Sequence, residues 1–138
     1  AMTWQELLAR DLMKTELVTV SANAPVQEVE RVLSEHRIGG VPVTDAAGHL
    51  TGLVSLRDVV EFRAEDDDRR PERDDQETTA TAKDLMTGSV YAVDVKTPIQ
   101  QVAREMVERG IHRVLVAEKG RHVGLISAFD ILEQVAEG

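Results

Sequence analysis

Ser55-x-x-Asp58 and Ser127-x-x-Asp130 are the residues of this chain whose types and spacing could do chemistry. Each pair ends a seven-residue run, Gly52-Leu53-Val54-Ser55-Leu56-Arg57-Asp58 and Gly124-Leu125-Ile126-Ser127-Ala128-Phe129-Asp130, in which an apolar β-type segment gives way to a helical pattern. Where a buried strand turns into a helix, free backbone N–H groups favour an anion, and a glycine at the strand lets another group come close. A serine hydroxyl there can donate to phosphate, and an aspartate one turn further on can accept from both vicinal hydroxyls of a ribose. The same spacing also suits a capping box, with serine at the N-cap and an acidic residue three positions later. Both readings fit each pair. Duplication does not separate them, since a cap is inherited as readily as a binding site.

The duplication runs well beyond these runs. Asp11-Leu12-Met13 returns as Asp84-Leu85-Met86, and Pro25-Val26 as Pro98-Ile99. The offset is 73 residues from Asp11 through Asp45 and 72 from Gly48 onward, so one residue has been lost in a turn. The frame is therefore two copies of a unit of about fifty residues joined by a polar connector. Thr3-Trp4-Gln5-Glu6 reads as a capping box opening a short helix through Leu7 and Leu8 towards Met13, and Thr81 with Asp84 repeats that logic. Val18 to Val20 and Val90 to Val93 read as short strands. Pro25 and Pro98 suit a first helical turn, with Thr97 as an N-cap. The helices that follow carry apolar stripes at Val26, Val29, Val32, Leu33 and at Ile99, Val102, Met106, Val107.

Two β runs per copy come next, Ile38 to Thr44 with Leu50 to Leu56 and Val114 to Ala117 with His122 to Ser127; Gly48 and Gly120 mark their turns. Helical spacing then returns at Val59, Val60, Phe62 and at Ile131, Leu132, Val135. Each unit is β-α-β-β-α. One such unit leaves a sheet face and a helix stripe uncovered, so two copies packing together is the economical solution.

At 138 residues, 42% apolar and 30% charged, the chain has the composition of a globular protein, and with only 3% aromatics its core must be aliphatic. No apolar run is long enough for a membrane span, and the N-terminal residues carry no export pattern, so the expected compartment is the cytoplasm. Zero cysteines exclude disulfides, thiol catalysis and the common zinc clusters. A net charge of −9 argues against nucleic acid, whose phosphates demand Lys and Arg. Much of the acidity sits between Glu65 and Glu77, where mixed charge around Pro71 reads as a solvated linker rather than a metal site. His36, His49 and His122 make no metal-ligand pattern and read as surface or turn residues; Trp4 reads as an apolar cover.

The ordered set of Asp-Leu-Met, a Pro-led helix, Ile38-Gly39-Gly40-Val41-Pro42-Val43-Thr44-Asp45 and Gly52 to Asp58 resembles a cystathionine-beta-synthase (CBS) domain. The second copy fits the same pattern, so the whole is similar to a tandem CBS pair, or Bateman module, over nearly all of residues 10–135 apart from the linker. The resemblance implies an α+β fold of two β-α-β-β-α repeats packed through their sheets about a pseudo-twofold axis. Repeat 1 with an N-terminal helix would span 1–62, a charged linker 63–80 and repeat 2 81–138. It further implies clefts between the repeats that take AMP, ADP, ATP or S-adenosylmethionine, with no catalytic cofactor. Asp58 and Asp130 would take ribose hydroxyls and Ser55 and Ser127 would help hold phosphate. Thr19, Ala92, Val41-Pro42 and Val114-Leu115 would border the base.

The copies are unequal. His112-Arg113 stands in place of Gly39-Gly40, and the stretch from Gly110 to Val116 resembles the nucleotide-sensing gamma subunit of AMP-activated protein kinase. That likeness implies that His112 and Arg113 serve the cleft of Asp58, beside Arg57, as phosphate partners; the alternative is a polar pair at a strand start facing solvent. The Asp130 cleft, with Phe129 and the glycine pair, has fewer anion partners.

No Ser-His-Asp order, no Gly-x-x-x-x-Gly-Lys loop and no metal set is present, so an enzyme is not expected. The expected function is a regulatory module that binds an adenosine-containing ligand and signals through a change of shape or of affinity for a regulated protein. The alternative is a structural homodimer whose clefts stay empty; the family resemblance implies a homodimer in either case.

Overall fold

The computed structural model describes residues 3–69, 78–86 and 91–138. Two compact units divide the chain, one made of Val18–Val90 and the other of Ala1–Leu17 with Tyr91–Gly138. In the first, β1 (Val20–Ser21), α2 (Val26–His36), β2 (Gly40–Thr44), β3 (Leu50–Ser55) and α3 (Leu56–Arg69) follow one another; α1 (Ala9–Leu12) precedes them in the chain and belongs to the other unit. After α4 (Ala82–Leu85), the second unit repeats the series as β4 (Ala92–Asp94), α5 (Ile99–Arg109), β5 (Arg113–Glu118), β6 (Arg121–Ser127) and α6 (Ala128–Glu137). Each sheet has three strands in chain order, the first pair parallel and the second antiparallel. This is the expected β-α-β-β-α unit, twice, in an α+β fold.

The helical stripes form where apolar residues recur by three and four. Helix α2 buries Val26, Val29, Val32 and Leu33, of which the last three pack with Val41, Val43 and Val54 of the sheet. Helix α5 buries Ile99, Val102 and Met106 in the matching core of Val93, Val114, Val116 and Ile126. Val107 departs from expectation: it is 82% exposed, because it lies about 100° round the helix from Met106 and leaves the buried stripe. In the same way Val59 and Ile131 are buried, whereas Val60, Leu132 and Val135 face outward. The residue lost between copies lies in the β-turn. Strand β5 enters β6 through Lys119-Gly120, both at positive φ, as a tight two-residue hairpin requires, while the first copy spends an extra residue before Gly48.

The lead-in segments are arranged differently from the sequence expectation. Thr3 makes no side-chain cap, and Trp4–Glu6 is a single 3-10 turn separated from α1. The break at Leu7 and Leu8 has a cause: Leu7 carbonyl accepts the Ile99 N–H at 2.7 Å, and Ala9 N–H donates to the Thr97 carbonyl at 2.8 Å. Pro98 caps α5 and cannot supply a donor, and the lead-in satisfies the first orphan amide of this helix, that of Ile99. Pro98, not Thr97, is the N-cap, and Pro25 plays the same part for α2. Val26 N–H donates to the Ala80 carbonyl at 3.2 Å and Ala82 N–H to Ala24 at 2.8 Å, so the first unit is closed by the segment that opens the second copy. Trp4 and Leu7 cover the Ile99 core. Strands β1 and β4 are shorter than expected, Thr19 lying before β1 and Tyr91 before β4; Val90 is outside the described residues. Helix α3 runs through Arg69 into the stretch expected as linker from residue 63, anchored by a two-pronged Arg63–Glu30 pair at 2.7 and 2.8 Å; the expected linker residues 70–77 lie outside the described part.

Gly124 shows how tightly the lead-in is packed. A Cβ there would lie 2.7 Å from Met13 Sδ and 3.0 Å from Met13 Cβ, so the group that approaches this glycine is the protein's own methionine. Gly124→Ala is expected to push the Met13 segment off β6 and cost about 1–3 kcal/mol, read as a lower urea midpoint with an unchanged slope.

Candidate ligand-binding corners

Both Ser-x-x-Asp runs sit where the third strand of a unit passes directly into a helix, β3 into α3 and β6 into α6. In the first unit Ser55 N–H donates to Asp58 Oδ2 at 2.8 Å, and Asp58 N–H donates to Ser55 Oγ at 3.0 Å. In the second, Ser127 N–H donates to Asp130 Oδ2 at 2.8 Å and Asp130 N–H to Ser127 Oγ at 3.1 Å. Both are reciprocal capping boxes, so the structural reading of the spacing is realised in each copy. A cap takes only one carboxylate oxygen, and what happens to the other differs between copies.

Asp58 is partly exposed, and its Oδ1 has no hydrogen bond or ion pair among the described residues. Asp130 is 7% exposed, and its Oδ1 lies 3.1 Å from Lys14 Nζ. Lys14 is held there by a two-bond bridge to β6, its N–H donating to the Leu125 carbonyl at 2.9 Å and its carbonyl accepting from Leu125 N–H at 3.0 Å. Sequence reasoning passes over Lys14, although the repeat carries the signal: Asp11-Leu12-Met13-Lys14 aligns with Asp84-Leu85-Met86-Thr87.

Around these corners the remaining expected residues fall into three groups. Arg113 is set opposite Ser127 across the β5–β6 ladder and is half-buried; no carboxylate pairs with it among the described residues, and burial pulls its guanidinium below its ordinary value without discharging it at neutral pH. His112 is exposed and its carbonyl accepts the Ala128 N–H that opens α6. Arg57 is 86% exposed and bonded to Glu61 at 2.9 Å, one turn along α3, so it is already engaged as a surface ion pair. Val41 and Val114 are fully buried in the cores of their own units. Pro42 alternates with Val41 and lies on the opposite sheet face, as Leu115 does relative to Val114. Thr19 is exposed ahead of β1, and Ala92 pairs with Leu115 in the parallel ladder.

Among the described residues no group of three or more His, Cys, Asp or Glu is arranged to hold a metal, and no helix is long and apolar enough to cross a membrane. His36, His49 and His122 are all exposed.

Known proteins are similar to this chain in sequence and in fold. The chain is 30% identical over 129 residues to hypoxic response protein 1 of Mycobacterium tuberculosis (strain ATCC 25618 / H37Rv), covering 94% of this chain and 85% of that protein. Its fold matches the CBS-domain containing protein ATU1752 from Agrobacterium tumefaciens with a TM-score of 0.82 at 25% identity, over 98% of both chains. It also matches the CBS domain pair of protein MJ0100, solved in complex with 5-methylthioadenosine and S-adenosyl-L-methionine, with a TM-score of 0.79 at 24% identity over 94% of this chain and 96% of that one. The family model of the CBS domain matches twice, at residues 9–65 and 82–137, and the chain therefore belongs to the CBS domain family as a tandem pair.

Proposed function

We propose that this chain is a non-enzymatic regulatory module that binds an adenosine-containing ligand, AMP, ADP, ATP or S-adenosylmethionine, and passes its occupancy on as a change of shape or of partner affinity. The observation that carries the reading is Asp58. Its carboxylate is oriented by the Ser55 amide through one oxygen while the other oxygen is uncommitted among the described residues, which suits a ribose diol. Arg113, half-buried with no carboxylate beside it among the described residues, supplies a forked cation for phosphate. The MJ0100 pair with its two adenosyl ligands supports the ligand class. Calorimetric titration with AMP, ADP, ATP and S-adenosylmethionine tests it: binding of at least one is expected, and no heat and no thermal shift with any of the four removes it.

A second reading, a homodimerisation module, is favoured by the outward apolar residues. Val60 and Leu132 are equivalent positions of the two copies, 58% and 59% exposed, and Leu56, Phe129 and Val135 extend the same helices' apolar surface. Equivalent patches on repeated helices suit a second copy of this chain in a two-fold contact. In the first unit a groove of about 710 Å³ runs between α2 and α3, lined by Leu33, Ile38, Val59 and Val60 and bounded by the Glu30–Arg63 pair. Leu132→Glu is expected to convert a dimer to monomer in sedimentation velocity with the fold intact, since an exposed substitution has little other effect. Wild-type protein that sediments as a monomer rules the dimer out.

A further inference from the structure

We infer that Lys14 makes the two repeats bind unequally, because its ammonium, 3.1 Å from Asp130 Oδ1, fills in the second unit the acceptor position that Asp58 leaves uncommitted in the first. The inference rests on the proposed adenosyl reading and assigns the number of ligands per chain. Asp130 Oδ2 is committed to the Ser127 amide and Oδ1 to Lys14, so both oxygens of a nearly buried carboxylate are taken. A ribose hydroxyl would have to displace the ammonium from this carboxylate, and unlike the ammonium it carries no charge opposite to that of the carboxylate. The backbone of the lysine is set before any ligand arrives, bonded to Leu125 on both sides with Met13 packed against Gly124, so its Nζ, on a side chain 68% exposed, stays within reach of Asp130. The aligned position in the chain of the first unit is Thr87, an uncharged residue. Lys14 thus acts as a built-in occupant of one corner, and its removal opens that corner.

The count of bound ligands tests this. Calorimetric titration with AMP, ATP and S-adenosylmethionine is expected to give one ligand per wild-type chain for whichever probe binds. Lys14→Met, which keeps the aliphatic stem, is expected to give two, Lys14→Arg one, and Lys14→Met combined with Asp130→Ala one again. Lys14→Gln serves beside Lys14→Met should the latter lose its cooperative thermal transition. Two ligands on the wild-type chain, or one on both folded Lys14 variants, or a weakened first site in them, overturns the inference and leaves the proposed function standing. If none of the three probes binds any of these proteins, the proposed function falls and the inference with it.

Discussion

Alanine at position 58 is expected to weaken binding of an adenosyl ligand about 100-fold while costing only about 1 kcal/mol of folding stability. The two effects separate because Asp58 does two jobs with different atoms. Oδ2 accepts the Ser55 amide and closes the capping box, a contribution of the size usual for helix caps. The other oxygen is the proposed acceptor for a ribose hydroxyl, and hydrogen bonds to a charged group are worth about 1.5–3 kcal/mol, so losing one or two of them amounts to about two powers of ten. Ser55→Ala is the matched comparison. It removes the Oγ acceptor for Asp58 N–H, leaves the carboxylate in place, and is expected to cost a similar amount of stability with much less loss of affinity. Titration calorimetry and urea denaturation on both variants separate the roles. If both lose stability alike and neither loses affinity, Asp58 is only a cap, and the adenosyl reading fails at its central residue.

The repeat makes the fold legible in the amino-acid sequence itself. A 73-residue offset, a proline ahead of each first helix and stripes such as Val26-Val29-Val32-Leu33 specify two β-α-β-β-α units, and the structure has them. What the pattern does not convey is long-range pairing. Thr3-Trp4-Gln5-Glu6 satisfies the local rule for a capping box, yet the Ile99 amide claims the Leu7 carbonyl and breaks the segment into a turn and a separate short helix. Val107 matches the helical spacing but is exposed, because a stripe read from the sequence has no sharp edge. The candidate corners are equally half-legible. Spacing places Ser55 with Asp58 and Ser127 with Asp130, and the structure shows the amide bonds that such spacing allows. The repeat marks Lys14 as a difference from Thr87, but it takes the fold to bring that lysine, near the other end of the chain, onto Asp130. The place of Val41 and Val114 in the cores is hidden for a related reason: period-two alternation tells which residues share a face but not which face belongs to the unit's own core.

Truncation of Ile126 to alanine is expected to remove several kcal/mol of folding stability. Ile126 is fully buried near the end of β6, opposite Val114, in one core with Ile99, Val102, Met106 and Ile131. Ile126→Val removes one methylene and is expected to cost about 0.5–1.5 kcal/mol; Ile126→Ala leaves a cavity and is expected to cost about 2–5 kcal/mol. A domain of this size commonly has only about 5–15 kcal/mol in hand, so the alanine variant would sit close to its unfolding threshold. Leu132→Ala, on an outward face one residue after Ile131, is expected to stay within about 0.5 kcal/mol at concentrations where the chain is monomeric. Urea denaturation followed by circular dichroism ranks the three. The ladder also bears on the corners, because Ile126 immediately precedes Ser127 in the strand that presents Asp130. A loss near 1 kcal/mol for Ile126→Ala would mean that this core collapses around the cavity, and the corner it carries could then not be the rigid platform on which Lys14 and Asp130 are held together.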